Sequence, residues 1–303
     1  MTVTHPYSRL SYGQSLAQGD QIVMSETLGV PLRLRRIPGT DHQDASGLYP
    51  ISPDLRETTR EALQSELQAM KAVSLVLVTD PLATHIPDCF DVNRPYKPHH
   101  VIDPAIGLPK FSKHHRAEVR RAKRLCGVRH IELAEHLDGF VRLYDILIAR
   151  RGLGPQHRFD REHFEHLAAH PKDFPTIGAF VEDRLVSAHI WVRAGQNVYS
   201  HLAASDPEGY AVGAAYSVYD CAIHEIDGCR ITLGGVPDRP EGSGPNTGLD
   251  RFKRGFANTA YSPHLCGIIA DPNIYQALSK PVGESGSETG FFPLYRRLPA
   301  HRS

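Results

Sequence analysis

The chain has 303 residues, and its 34 Lys+Arg are balanced by 34 Asp+Glu, so its formal net charge at pH 7 is zero. That length holds one large domain or two of ordinary size. The balance excludes a global field that would draw the protein to nucleic acid or membrane, and leaves only local attraction.

The opening "MTVTHPYSRLSYGQSLAQGD" lacks the basic start and apolar run of a signal peptide. No apolar run approaches the length of a membrane span, and the longest, "AVSLVLV" (Ala72–Val78), suits a buried strand. The 5 cysteines are an odd count without CxxC spacing. They read as reduced structural thiols in a cytoplasmic protein, with no metal site. Histidines are frequent, but pairs such as His99-His100 and His114-His115 are sequence neighbours, which rarely point at one metal.

In chain order, "PLRLRRI" (Pro31–Ile37) alternates apolar and basic residues and predicts a strand with one wet face. "DASGLYPISP" (Asp44–Pro53) reads as a turn-rich loop. A helix with Leu55, Ala62, Leu63, Leu67 and Met70 on its apolar side follows and leads into the strand Ala72–Val78. The stretch carrying Pro81, Pro87, Pro95, Pro98 and Pro104 is then the expected boundary between residues 1–105 and 106–303. "FSKHHRAEVRRAKRLCGV" (Phe111–Val128) predicts a helix with Phe111, Val119, Ala122 and Leu125 on one side, ended by Gly127. Lys113, Arg116, Arg120, Lys123 and Arg124 gather within about 100° on the other side. Such a face is usually only solvated; the alternative is contact with a polyanion, an RNA backbone or a nucleotide phosphate.

Two more amphipathic helices, "HLDGFVRLYDILIARRG" and "REHFEHLAAHP", precede a change of period. Thr176–Ser205 reads as three antiparallel strands with turns at Glu182–Arg184 and Ala194–Asn197. Tyr210–Gly228 then predicts a helix, Cys229–Gly235 a short buried strand, and "YSPHLCGIIAD" a final strand.

Between those last strands lies "GLDRFKRGF" (residues 248–256). On a helical wheel Leu249, Phe252 and Phe256 form an apolar stripe, while Asp250, Arg251 and Arg254 lie opposite. Lys253 falls about 40° from Leu249, at the edge of the stripe. Two readings stand. The lysine snorkels to solvent, or it is a cation set in a cleft to meet developing negative charge.

Together, "DASGLYP", "FSKHHRAEVRRAKRLCGV", "YSHLAASDPEGYAVGAAYSVYDCAI", "ITLGG" and "GLDRFKRGF" resemble the FemAB-like branch of the GNAT acyltransferase superfamily, over most of residues 30–265. These are tandem-GNAT proteins that include peptidyltransferases using aminoacyl-tRNA. The resemblance implies an α+β fold with a mixed, mostly antiparallel sheet flanked by helices. It implies two GNAT-like units, 1–105 being reduced, with the tail 280–303 packing back on the first. It also implies an amide-forming N-acyl or aminoacyl transferase. The Phe252-Lys253 pair matches the family's Phe-Lys motif, whose lysine stabilises charge as the acyl ester is attacked.

Acetyl-CoA enzymes of the superfamily hold pyrophosphate on a Q/R-x-x-G-x-G/A turn at a helix N-terminus. Here "YAVGAA" keeps Gly213 and Ala215 but has Tyr210 at the first position. A weakened cradle beside the basic helix favours aminoacyl-tRNA as donor; acyl-CoA, or a non-catalytic RNA- or nucleotide-binding module, are the alternatives. No cofactor is expected beyond the donor substrate. Backbone N–H groups near His201–Ala204 are expected to hold the carbonyl, and His201 is the one candidate base, against a plain core histidine. Asp238 and Arg239, in the loop before Lys253, are candidate contacts for a small-molecule or nucleotide-linked amine acceptor.

Overall fold

The computed structural model describes residues 4–107, 109–154, 157–226, 228–236, 247–282 and 290–297. Its elements run α1 (Leu10–Ser15), β1 (Gln21–Ser25), β2 (Val30–Arg36), β3 (Gln43–Gly47), α2 (Arg60–Ala69), β4 (Ala72–Val78), β5 (Val92–Pro95) and β6 (His99–Ile102). Then come α3 (Lys113–Leu125), β7 (Gly127–Ile131), α4 (Leu137–Arg151), α5 (Arg161–Ala168), β8 (Thr176–Val181), β9 (Arg184–Ala194) and β10 (Asn197–Ser205). The chain finishes through α6 (Pro207–Val212), α7 (Ala214–Glu225), β11 (Arg230–Gly235), α8 (Thr247–Arg254), β12 (Thr259–Tyr261), β13 (His264–Ile269) and α9 (Pro272–Ser279). Among the described residues no helix is long and apolar enough to cross a membrane.

Two compact units result. One holds Tyr7–Tyr96 together with the chain from Ser262 on, and the other holds Lys97–Tyr261 with the N-terminal stretch to Pro6. Composition had pointed to a single cut at 105/106. The pairing explains the difference. β6, inside the proline-rich stretch read as a boundary loop, pairs antiparallel with both β11 and β12. β13 returns to the first unit and sits between β4 and β5.

In that first unit the sheet order is β1-β2-β3-β4-β13-β5. All neighbours are antiparallel except β3 and β4. β2 is the strand expected from its alternation, with Leu32 and Leu34 buried. β3 was read as loop; its polar Gln43, Asp44 and Ser46 hid a strand whose Asp44 is buried because Arg35 and Arg296 pair with it. The tail thus packs on this unit, with Tyr295 Oη also 2.7 Å from Ser74 Oγ. α2 starts at Thr59, whose hydroxyl accepts from the Ala62 N–H, and Leu63 and Leu67, one turn apart, fill the core beneath it.

The other unit has the order β12-β6-β11-β10-β9-β8-β7. β8, β9 and β10 are the expected meander, and β10–β11 is the parallel pair. α3 and α7 cover one face over a core of Val119, Ala122, Val198, Trp191, Val218, Tyr219, Ile231 and Leu233. Two expectations on this face need correcting. Leu125 is exposed, and Gly127 does not cap α3 in a left-handed turn. Cys126 is already extended (φ −145°, ψ 144°), so the chain passes straight into the short edge strand β7, whose "VRHI" carries too little apolar pattern to announce it.

The helix expected over Tyr210–Gly228 is two helices, broken at Gly213 with φ +72°. α6 is fixed by Asp206, which accepts from the Gly209 N–H at 2.8 Å and pairs with Arg184 (2.5 Å) and Arg142 (3.3 Å). Gly209 is obligatory there, since a Cβ would lie 2.2 Å from the Val186 carbonyl oxygen.

Candidate active site

The site begins with a parting of strands. β10 and β11 pair from Asn197/Arg230 to Tyr199/Thr232, and no further pair follows among the described residues, although β10 runs on to Ser205 and β11 to Gly235. A bulge in β10 between Ser200 and Leu202 accompanies the divergence. Backbone groups beyond Tyr199 on the β11 side are thereby released from the ladder. This is the stretch His201–Ala204 from which carbonyl-binding N–H groups were expected.

α8 delivers a cation into this opening. Lys253 is 9% exposed, while Arg251 and Arg254 on the same helix are exposed, so the inward charge of "GLDRFKRGF" is the lysine. Its Nζ donates to the Gly235 carbonyl oxygen at 2.6 Å, and burial lowers its pKa to about 8. Gly234 lets the chain pass beside it: φ is +77°, and a Cβ would sit 3.3 Å from the ammonium.

The helix is held from behind. Phe252 and Phe256 lie against Tyr219 at 4.9 and 5.5 Å between ring centroids, and Phe256 lies 5.0 Å from Phe111. His115 Nε2 is 2.9 Å from the Phe252 carbonyl oxygen, and its Nδ1 is 2.9 Å from Ser112 Oγ. Burial lowers the pKa of His115, which suits a neutral imidazole shared between these two partners. Gly255 makes the approach feasible, because a Cβ there would lie 2.0 Å from His115 Cε1. Asp250 steadies the other side through His100, at 2.9 Å.

Two further histidines face the ammonium electrostatically. Burial first, then the Lys253 charge, lowers His99 to about 4 and His189 to about 3. His99 Nδ1 is 3.5 Å from Thr232 Oγ1, and a Cβ on Gly235 would lie 3.2 Å from its Nε2. His189 Nε2 is 3.0 Å from Ser200 Oγ. Its ring stacks on Trp191 with centroids 3.9 Å apart, and Tyr219 closes the group at 5.0 Å. His189 Nδ1 and Trp191 Nε1 are buried with no hydrogen-bond partner among the described residues. Leaving such a group unsatisfied costs about 1–3 kcal/mol.

His201 is placed elsewhere. As the bulge residue it breaks the two-residue alternation from Tyr199, and it lies 6.1 Å from His163 and 6.2 Å from Phe174 between ring centroids. It is buried, with its pKa lowered to about 3 by burial and then by His189. That is the setting of a core histidine. His99, on β6, is the histidine that approaches the end of β11 at Gly235. No periodicity marks it, only its place beside His100 in a proline-rich stretch.

The other candidates divide. Gly213 lies at the start of α7, where a Cβ would approach Arg121 Nη1 (3.6 Å) and Glu118 Oε2 (3.7 Å), and Ala215 follows in the helix. Tyr210 turns outward, 39% exposed, with the Arg150 guanidinium 3.9 Å over its ring. Of the α3 cations, Lys113, Arg116, Arg120 and Arg124 are exposed, while Lys123 pairs with the buried Asp220 at 2.6 Å. Asp238 and Arg239 lie outside the described residues.

Residues 109–226 match the family described as an acetyltransferase (GNAT) domain. No curated protein matches the sequence. Among solved structures, the chain is similar to FemX, with a TM-score of 0.61 and 13% identity over 90% of this chain and 95% of that one. It is also similar to L-PGS from Bacillus licheniformis, with a TM-score of 0.56 and 15% identity over 88% and 89%. A third is a domain from Agrobacterium fabrum, assigned as the C-terminal part of a lysylphosphatidylglycerol synthetase, with a TM-score of 0.58 and 13% identity over 89% and 92%. The fold is GNAT-like, with two mostly antiparallel sheets consistent with tandem units.

Proposed function

We propose that this protein forms amide bonds, moving an aminoacyl group from aminoacyl-tRNA to an amine acceptor. The observation that carries the reading is the buried Lys253 ammonium at the parting of β10 and β11. In such a transfer the amine nitrogen attacks the ester carbonyl carbon, and the negative charge that develops on oxygen needs a fixed positive partner in a site of low dielectric. Lys253 supplies it, with the released β10 backbone. Collapse of the tetrahedral intermediate breaks the C–O bond to the ribose, which leaves with a proton, and the amide remains. His99, kept neutral at pH 7 by burial and by the Lys253 charge, can hold that proton only in passing, so it relays it from the attacking nitrogen to the leaving ribose oxygen. No group in this account attacks the carbonyl covalently; alignment and electrostatics carry the step.

Two features support tRNA as the donor. Tyr210 leaves the expected phosphate turn without its cationic or amide side chain, and four exposed cations on α3 remain for a polyanion. One observation favours acyl-CoA instead: Gly213 keeps the left-handed turn at the start of α7. The test offers a mixture of aminoacyl-tRNAs carrying labelled amino acids, and separately labelled acetyl-CoA, with a panel of small and nucleotide-linked amines. Label passing from tRNA to amine, and lost in Lys253→Ala, is the expected result. Transfer from acetyl-CoA alone overturns the tRNA reading, and no transfer with either donor, despite binding of RNA, makes the protein a binding module.

A further inference from the structure

Behind α8, away from the Lys253 opening, lies a cavity of about 440 Å³ lined by Ser112, His114, His115, Arg251, Arg254 and Gly255. Arg251 and Arg254 are three residues apart, so both project from one face of α8 into the space beside α3. His114, exposed on the opposite wall, adds an imidazole. Among the described residues no Asp or Glu lines the cavity. Two carboxylates stand near its rim. Asp250 pairs with His100 at 2.9 Å and, from the rim, with Arg254 itself at 3.5 Å, so a phosphate would compete with it for one guanidinium; Glu118 is 3.7 Å from Arg121. Tyr216 of α7 stands beside the His114 wall, its hydroxyl 3.4 Å from His114 Nε2 and its ring 3.7 Å from a Cβ built on Gly213.

We infer that the α3–α8 cavity is a phosphate-binding site, in which Arg251 and Arg254 clamp a phosphate or phosphodiester of the acyl donor. Two guanidinium forks and an imidazole around a concavity with no acidic lining residue among those described are the chemistry that takes phosphate rather than a neutral or cationic group. The same short helix then reads the donor twice, with Lys253 at the reacting carbonyl and the arginines at a remote phosphate. As a site for the donor's phosphate the inference rests on the transfer reading above; as a phosphate site it does not. An RNA strand and the pyrophosphate of CoA offer the same group, and the experiment separates them.

Binding of uncharged total tRNA, CoA and inorganic pyrophosphate is measured by calorimetry for the full chain, the double variant Arg251→Ala/Arg254→Ala, and the control Arg151→Ala/Arg193→Ala, which removes equal charge from exposed positions outside the cavity. For tRNA the salt dependence is recorded as well. The expected result is a loss of about tenfold or more in tRNA affinity in the cavity variant alone, with the slope of log K against log salt falling by about 2. Equal losses in both double variants, or none in either, overturn the inference, as does a full chain that binds none of the three probes. CoA or pyrophosphate binding that falls only in the cavity variant, with no tRNA binding, upholds the phosphate site and overturns the tRNA donor. A thermal melt of each variant, matched to the parent within a few degrees, establishes that folding is not what changed.

Discussion

Lys253 Nζ donates to the carbonyl oxygen of Gly235 at 2.6 Å, and this one contact joins the end of α8 to the end of β11 where β10 has already left it. The ammonium has two more donors than the contact uses. It is held by one partner and available to another, which is what a developing oxyanion requires.

Lys253→Ala is therefore expected to lower turnover by at least about 10²-fold with little change in donor affinity, the signature of an interaction made mainly in the transition state. Single-turnover rates beside equilibrium binding check it. A parallel fall in affinity and rate would assign the lysine to ground-state binding.

The same residue makes a stability prediction of opposite sign. Its folded pKa of about 8 lies below the ordinary value of 10.5, so the folded state pays to keep the charge at neutral pH. By linkage the penalty, on the order of 3 kcal/mol, is fully present below pH 8 and fades as pH rises toward the unfolded value. Lys253→Met, which fills the same space without charge, is expected to raise the melting temperature at pH 7 while abolishing activity. Thermal melts at pH 7 and pH 9.5 check it, the gap between variant and parent narrowing at the higher pH.

Acid has the reverse effect on the histidines that their surroundings keep neutral. His189, His201 and His99 all have folded values lowered to between about 3 and about 4, below the ordinary 6.5. Their contribution to stability is present above pH 6.5 and is lost as pH falls toward those values, because the unfolded chain takes up protons that the folded one refuses. His163 is lowered well below its ordinary value too, so denaturant titrations at pH 7, 6 and 5 are expected to show a steep loss, with a slope near pH 5 of at least about four protons. His201→Asn is expected to remove about one of them.

His99 and His201 separate by kinetics. His99→Ala is expected to lower the rate by about 10²-fold, whereas His201→Asn changes stability and leaves the rate per folded molecule within about threefold. Activity normalised to folded protein, measured across pH 5.5 to 8.5, distinguishes them. Equal rate losses in both would return the base to the bulge of β10.

Gly255→Ala tests how α8 is set. The new Cβ would lie 2.0 Å from His115 Cε1, so either the ring or the helix must move. A destabilisation of about 1–3 kcal/mol is expected, with a disproportionate loss of rate as Lys253 shifts with its helix. Adding His115→Ala should recover part of the stability, and the double-mutant cycle measures the coupling.

The elements that were legible in the sequence are those with a strong period. The β8–β10 meander, α2 and the apolar stripe of α8 all appear where alternation or helical spacing put them. The wheel also placed Lys253 at the edge of that stripe, though only packing shows its ammonium to be turned inward. β3, β5, β6 and β7 were not legible. They are short and polar, and they are strands because long-range partners claim their backbones. His99 went unseen for the same reason, since nothing within its own stretch reveals that β6 pairs with β11 beside the lysine. The bulge that takes His201 out of the alternation from Tyr199 is likewise something spacing arguments cannot detect.

The return of β13 to the first sheet also sets an order of events during synthesis. Residues up to Tyr96 leave the ribosome early, yet their sheet stays split until Ile269 has been made, because β13 is the strand between β4 and β5. Everything from Lys97 to Tyr261 is translated in the interval, while the apolar "AVSLVLV" edge stands open. The unit encoded first is thus the one completed last, and a chain truncated after Tyr261 would forfeit it while retaining every strand and helix of the other.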